Sequence, residues 1–273
     1  LPATPHAQES RGLGDVYKRQ VLEDAFSIEE VDKVVNQIDP YEFNVTEALK
    51  GLDGGKFFIA RAEEITFTTH LVTQSDVLKE FSKHRVFTDV CRDLIGPDVR
   101  LYWDQAVYKK PGTKDEFPWH QDNGYTYIEP QAYLTCWVAL TDTDESNGCP
   151  WVMPGLHRRG TLFHENTDLG HEIPLDSSQA VCLPLKAGSI AIFSSLTPHR
   201  TGPNLSDDIR KSYILQYAPE GSKRVISQSL TEDLNDENLS LIHISEPTRL
   251  LSISYSVVCV EKKRGGGGGG GGG

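Results

Sequence analysis

From Ser27 onward apolar residues recur at helical spacing: Ile28, Val31, Val34, Val35 and Ile38. Ser27-Ile28-Glu29-Glu30 ahead of them has the form of a capping box, in which Ser27 accepts from the Glu30 amide and Glu30 reaches back. The pattern predicts a helix that ends at Pro40, because proline has no amide with which to continue the ladder. Val77, Leu78, Phe81, Val90, Cys91, Leu94 and Ile95 predict a second helix over about 75–95, closed by Gly96-Pro97.

The period then changes. Short runs rich in Val, Ile, Tyr, Trp and Phe cover 99–109, 132–141, 148–153, 180–184, 189–193 and 211–218. Pro111-Gly112, Asn147-Gly148, Pro154-Gly155, Ala187-Gly188 and Gly202-Pro203-Asn204 separate them as turns. Helices followed by many short strands predict a mostly β chain with flanking α-helices, built on a double-stranded β-helix of jelly-roll or cupin-like form.

Bulk properties narrow the partners. A net charge of −12 and the absence of a basic stripe exclude a nucleic-acid role and favour a small-molecule substrate. No apolar run approaches membrane-spanning length, so no membrane partner is expected; oligomeric state is left open. The chain has 5 cysteines, widely spaced and without a C-x-x-C pair, which argues against a disulfide framework and for a reducing cytoplasm.

The candidate chemistry begins with Trp119-His120-Gln121-Asp122. On an extended segment, positions two apart point to one face, so the His120 imidazole and the Asp122 carboxylate can converge on one ion. His199 follows a buried-looking strand and precedes a turn. Two histidines and a carboxylate bind Fe(II) while leaving positions open, for a bidentate 2-oxo acid and for dioxygen. Arg210 opens the next strand, and a planar guanidinium inside a barrel suits the far carboxylate of 2-oxoglutarate.

These residues sit in longer motifs: VLEDAFS (21–27), DQAVYKKPGT (104–113), WHQDNGY (119–125), WVALTDTDESNGC (137–149), MPGLH (153–157) and PHRTGPNLSDDIRKSY (198–213). Together they resemble the phytanoyl-CoA dioxygenase family over roughly 21–221. The resemblance implies a non-haem Fe(II)- and 2-oxoglutarate-dependent dioxygenase that hydroxylates a small organic substrate and releases succinate and CO2. By it, His120, Asp122 and His199 hold iron, and Arg210 holds 2-oxoglutarate with help from the Thr201 hydroxyl. Gln105 and Trp137 match positions that line the co-substrate pocket. Asn123, Tyr125, Tyr127, Trp151 and Arg158 are expected substrate contacts. Leu156 departs from the family pattern, which usually shows Ser there.

His164 and His171 read as solvated loop residues, and Arg158-Arg159 as an exposed pair. Residues 11–20 and 240–264 resemble translated adapter read-through and 265–273 are all glycine, so 1–20 and 240–273 are expected to be an artefactual leader and tail around a single domain at 21–239. A cupin-type metalloenzyme without 2-oxoglutarate, and a non-catalytic jelly-roll binding module, are the alternatives. Arg210 counts against the first, and the iron triad beside it against the second.

Overall fold

The structure is a computed structural model that describes residues 19–227, 229–234 and 242–244. β1 (Arg19–Leu22) leads into α1 (Ile28–Lys50), the hairpin β2 (Lys56–Phe57) and β3 (Ala60–Arg61), and β4 (Ile65–Thr69). Next come α2 (Asp76–Phe81), α3 (Arg85–Leu94) and the long β5 (Val99–Lys109). β6 (Phe117–His120), the single turn α4 (Asp122–Tyr125), β7 (Ile128–Glu129), β8 (Leu134–Ala139) and β9 (Pro150–Val152) follow. A hairpin of β10 (Glu165–Thr167) and β11 (Gly170–Glu172) precedes β12 (Val181–Cys182), β13 (Ile190–Ser194), β14 (His199–Thr201) and β15 (Arg210–Pro219). β16 (Lys223–Ser227), β17 (Leu230–Asp233) and β18 (Ile242–Ile244) come last.

The major sheet has the order β1-β13-β8-β15-β5-β4-β3-β2, and the minor sheet β12-β9-β14-β6. The chain crosses between them repeatedly, and the paired strands run antiparallel, as in a jelly roll. Period-two alternation gives the major sheet two cores. Leu134, Cys136, Val138, Tyr213, Leu215 and Tyr217 face the helices. Trp137, Ala139, Ile214, Val107 and Phe193 face the minor sheet and fill the barrel. Each large apolar side chain buried in this way stabilises by roughly 1.5–3 kcal/mol.

The Ser27–Glu30 capping box is present, but α1 does not end at Pro40. A proline inside a helix costs about 3 kcal/mol. The residues beyond it offset that cost: Glu42 accepts from Thr46 Oγ1 and from Thr66 Oγ1 of β4, both at 2.8 Å, and pairs with Lys110. Tyr41 donates to the Gln74 carbonyl at 2.9 Å. The expected second helix is in fact two, α2 and α3. His84 breaks the run as the N-cap of α3, its Nδ1 accepting from the Val86 amide at 3.3 Å.

At the turn before β9, Gly148 has φ +90, and a Cβ there would lie 2.7 Å from the Gly202 carbonyl oxygen. Only glycine permits that approach, which fixes the spacing of β9 and β14.

Residues 1–18, 240–241 and 245–273 of the expected leader and tail lie outside the described residues. Arg19 and Gln20 belong to β1, and Ile242–Ile244 pairs with β5. Among the described residues no helix is long and apolar enough to cross a membrane.

Candidate metal centre

β14 lies between β6 and β9, and its first residue, His199, pairs in register with the last residue of β6, His120. The rings are 4.1 Å apart, centroid to centroid. Gln121 is extended, and Asp122 then opens α4 instead of continuing the strand that the sequence suggested. The outcome is still convergence. Asp122 Oδ1 stands 3.7 Å from His120 Nε2 and 3.6 Å from His199 Nε2. All three ligand atoms fall within 4.8 Å of one another, close enough to share one ion.

The surroundings prepare these groups for a metal. His120 Nδ1 donates to the Pro118 carbonyl at 2.8 Å and His199 Nδ1 to the Thr197 carbonyl at 3.0 Å, so each Nε2 keeps its lone pair for the shared point. Burial, then the neighbouring His199, pulls the His120 imidazole down to about 3; burial pulls His199 down to about 4. Both rings are therefore neutral at physiological pH, with each Nε2 free to act as a donor atom. Burial raises the Asp122 carboxyl, with His120 and Thr135 opposing the shift. Thr135 Oγ1 donates to Asp122 Oδ2, Gln216 Nε2 donates to Thr135 Oγ1 at 3.4 Å, and Tyr102 donates to Gln216 Oε1 at 2.8 Å. This donor set, buried, oriented and with one negative charge, fits Fe(II) with positions left open.

Arg210 is buried to 1% exposure. Nη1 donates to Ser212 Oγ at 2.6 Å and to the Val107 carbonyl at 3.2 Å, and the guanidinium carbon lies 5.4 Å from the Trp137 ring centroid. Nε and Nη2 are buried without a hydrogen-bond partner. Burial lowers this group only to about 10, so it remains a cation. Two unsatisfied donors on a buried cation are costly unless an anion meets them, and a carboxylate has the matching fork. Beside it, in register, Lys109 is also fully buried, donating to the Gly202 carbonyl at 2.5 Å and to Thr201 Oγ1 at 3.4 Å. Thr201 is thus held by Lys109.

A cavity of about 530 Å³ opens at the metal end of the barrel, bounded by the β2–β3 hairpin, β4, β5, β6 and α4. Gln105 and Tyr125 line it together with His120 and Asp122. Trp137 is buried beneath Arg210. Asn123 lies outside the lining and is fully buried, donating to Thr161 Oγ1 at 2.7 Å and accepting from the Ile128 amide at 3.0 Å. Tyr127 is exposed and accepts from Gln131. Trp151 packs beneath the Arg200 guanidinium on the minor sheet, and Arg158 is exposed on the turn Leu156–Arg159.

Several groups at the site were not assigned to it from the sequence. His164 is not a solvated loop residue: its Nε2 accepts from the Gln121 amide at 3.0 Å, and its ring fills the space beside Gly124. His171 packs on Tyr125 with centroids 4.6 Å apart. Gln121 clamps the motif by donating to the Leu196 carbonyl at 2.6 Å and the Gly160 carbonyl at 3.0 Å. Cys149 and Cys182, distant in sequence, bring their sulfurs to 3.0 Å. Thr135 and Gln216 could have been found by strand alternation, since they share a face with Trp137 and Ile214.

Comparison with known proteins agrees with this picture. The family described as Phytanoyl-CoA dioxygenase (PhyH) matches residues 20–212. A phytanoyl-CoA dioxygenase of Arabidopsis thaliana is 28% identical over 170 residues, covering 60% of this chain and 60% of the relative. The chain therefore spans less than two thirds of that relative's length. A probable alpha-ketoglutarate-dependent hypophosphite dioxygenase of Stutzerimonas stutzeri is 25% identical over 214 residues, 72% of this chain and 73% of that protein. Among solved structures, a non-heme alpha ketoglutarate dependent carbocyclase from nogalamycin biosynthesis has a TM-score of 0.64 at 20% identity, over 82% of this chain and 92% of the other. That likeness establishes the jelly-roll fold. With a family match running from β1 into β15, the chain belongs to the phytanoyl-CoA dioxygenase family.

Proposed function

We propose that this protein is a non-haem Fe(II)- and 2-oxoglutarate-dependent oxygenase that hydroxylates a small organic substrate, with release of succinate and CO2. His120, Asp122 and His199 hold the iron, and Arg210 pairs with the distal carboxylate of 2-oxoglutarate. The observation that carries this reading is the pairing of two features in one barrel: a buried two-histidine, one-carboxylate cluster, and a buried guanidinium whose Nε and Nη2 have no protein partner. Bound iron, with 2-oxoglutarate and dioxygen, would supply the oxidant for a C–H bond.

The chain's own residues do the rest. Pro118 and Thr197 carbonyls fix both imidazoles, and Thr135 fixes the carboxylate, so the open face points into the cavity. Trp137 and Ser212 hold the Arg210 guanidinium in plane for a two-bond grip. Phe117 and Tyr125 pack edge-on against His120, at 4.8 and 5.4 Å between centroids, and keep water from that ligand.

The similar proteins are named as a phytanoyl-CoA dioxygenase, a probable hypophosphite dioxygenase and a carbocyclase, so family membership alone does not choose a substrate. Cysteine usage supports a cytoplasmic location. The test of the activity is succinate formation from 2-oxoglutarate by the Fe(II)-loaded protein under air. Wild type should form succinate, and Arg210→Met should require far more 2-oxoglutarate. No succinate with any candidate substrate, in protein proven to bind iron, counts against it.

A further inference from the structure

We infer that the substrate is an uncharged, largely hydrocarbon molecule of ring-system size, gripped by an aromatic hairpin at the cavity mouth; this rests on the oxygenase reading above. The inference starts from the lining. Among the described residues that line the cavity there is no lysine or arginine, and His120 and Asp122 belong to the metal centre. Arg61, at the base of the same hairpin, is already engaged by the Asp168 carbonyl at 3.1 Å and the Glu64 carboxylate at 3.7 Å. An anionic head group brought into this space would lose its water with no side-chain cation to replace it, a strongly unfavourable exchange. The net charge of −12 also works against the approach of an anion.

The walls are aromatic and converge on a metal ligand. On one side Phe58, His171, Tyr125 and His120 form a relay of ring contacts, with successive centroids 6.4, 4.6 and 5.4 Å apart. On the other, Phe67 meets Phe117 at 5.7 Å, and Phe117 meets His120 at 4.8 Å. Flat or branched hydrocarbon surfaces stack well between such walls. The volume, about 530 Å³, suits a drug-sized molecule beside the co-substrate.

The hairpin gives an independent argument. Phe57 and Phe58 are 70% and 63% exposed at the mouth. Phe58 also sits at φ 51, in the left-handed region. A bulky side chain there is disfavoured, and glycine or asparagine would take the conformation at less cost. Among the described residues the Phe58 ring joins no core cluster and leans on the His171 ring, so its exposure is best explained by a ligand that covers it. The polar groups of the lining are uncharged apart from the metal centre: Gln105, Thr69, Thr126 and the Trp103 indole can orient a ligand, Tyr102 and Gln216 are bonded to each other, and the Tyr125 hydroxyl already accepts from the His171 amide at 2.9 Å.

The experiment is displacement of the neutral fluorophore N-phenyl-1-naphthylamine, measured anaerobically so that no turnover occurs. It is run on metal-free protein and on protein loaded with Fe(II) and 2-oxoglutarate. The competitors share one skeleton: 2-naphthylmethanol, 2-naphthoate, 2-naphthylmethylphosphonate and 2-naphthoyl-CoA. The alcohol should displace the probe at a concentration at least tenfold below any of the anions. Phe58→Ala should raise that concentration several-fold, and being exposed, the site tolerates the change without unfolding. If the phosphonate or the CoA thioester competes as well as the alcohol, or Phe58→Ala makes no difference, the substrate class is wrong. The visible charge-transfer band of the loaded sample judges the oxygenase reading separately. Its absence would sink that reading, while the order of competitors on metal-free protein still decides the class.

Discussion

His120 and His199 face each other directly across the β6–β14 ladder, each ring tied back through Nδ1 to a carbonyl two residues before it. Cross-strand register thus sets the distance between the two imidazoles, and only Asp122 has to be brought in from outside the ladder. That division makes the carboxylate the member most dependent on its supports.

Thr135 and Gln216 are those supports. Thr135→Val removes the hydroxyl that holds Asp122 Oδ2 and should weaken Fe(II) binding about 10- to 100-fold, the usual effect of losing a partner of a metal ligand. Gln216→Leu, one bond further away, should have the smaller effect. Anaerobic Fe(II) titration ranks them; equal affinity in wild type and Thr135→Val would refute the assignment.

Arg210→Met should leave Fe(II) affinity unchanged and raise the dissociation constant for 2-oxoglutarate by roughly 100-fold, about 3 kcal/mol, since it removes one side of a buried charge-assisted pair. Equilibrium binding of 2-oxoglutarate to the metal-loaded variant measures it. A loss of iron binding instead would mean that the residue supports the fold of the centre.

Lys109 predicts a pH effect. Burial, and then Arg210 beside it, lowers this amine from the ordinary 10.5 to about 7. Between those values the unfolded chain binds a proton that the folded protein does not, so Lys109 costs stability increasingly as pH falls from 10.5 toward 7. Lys109→Met removes that dependence. Urea midpoints of metal-free wild type should approach or pass those of the variant as pH rises from 7 to 10; parallel midpoints would contradict the depressed value.

Gly148→Ala should destabilise the protein by about 2 kcal/mol or more, because it combines a left-handed backbone with a Cβ pressed against the Gly202 carbonyl. That carbonyl also accepts from Lys109, so the variant should weaken 2-oxoglutarate binding as well. Thermal unfolding and co-substrate affinity, measured together, check both effects.

Much of this was legible in the chain because the relevant signals are local. The 99–109 run coincides with β5, and the expected strands at 132–141, 189–193 and 211–218 correspond to β8, β13 and β15, long or apolar enough for alternation to register. β6 and β14 carry the histidines but have only 4 and 3 residues, too few for a period to appear. There the motif had to stand in for the pattern. Pro40 misled because its local cost is offset by contacts with β4 and with Gln74, both remote in sequence. His164, Lys109 and the Cys149–Cys182 approach were hidden for the same reason: each is defined by partners at least 33 positions away. Substrate contacts chosen by proximity to the motif fell partly outside the cavity, because Asn123 and Trp151 point into structure and the hairpin at 56–61 supplies the mouth.

The most direct measurement is the visible absorption difference on adding Fe(II) and then 2-oxoglutarate to the metal-free protein without oxygen. Wild type should develop a charge-transfer band that saturates at one equivalent of iron per chain, and His199→Ala should show none. A band of equal strength in His199→Ala, or none in wild type that retains its fold, would contradict the account.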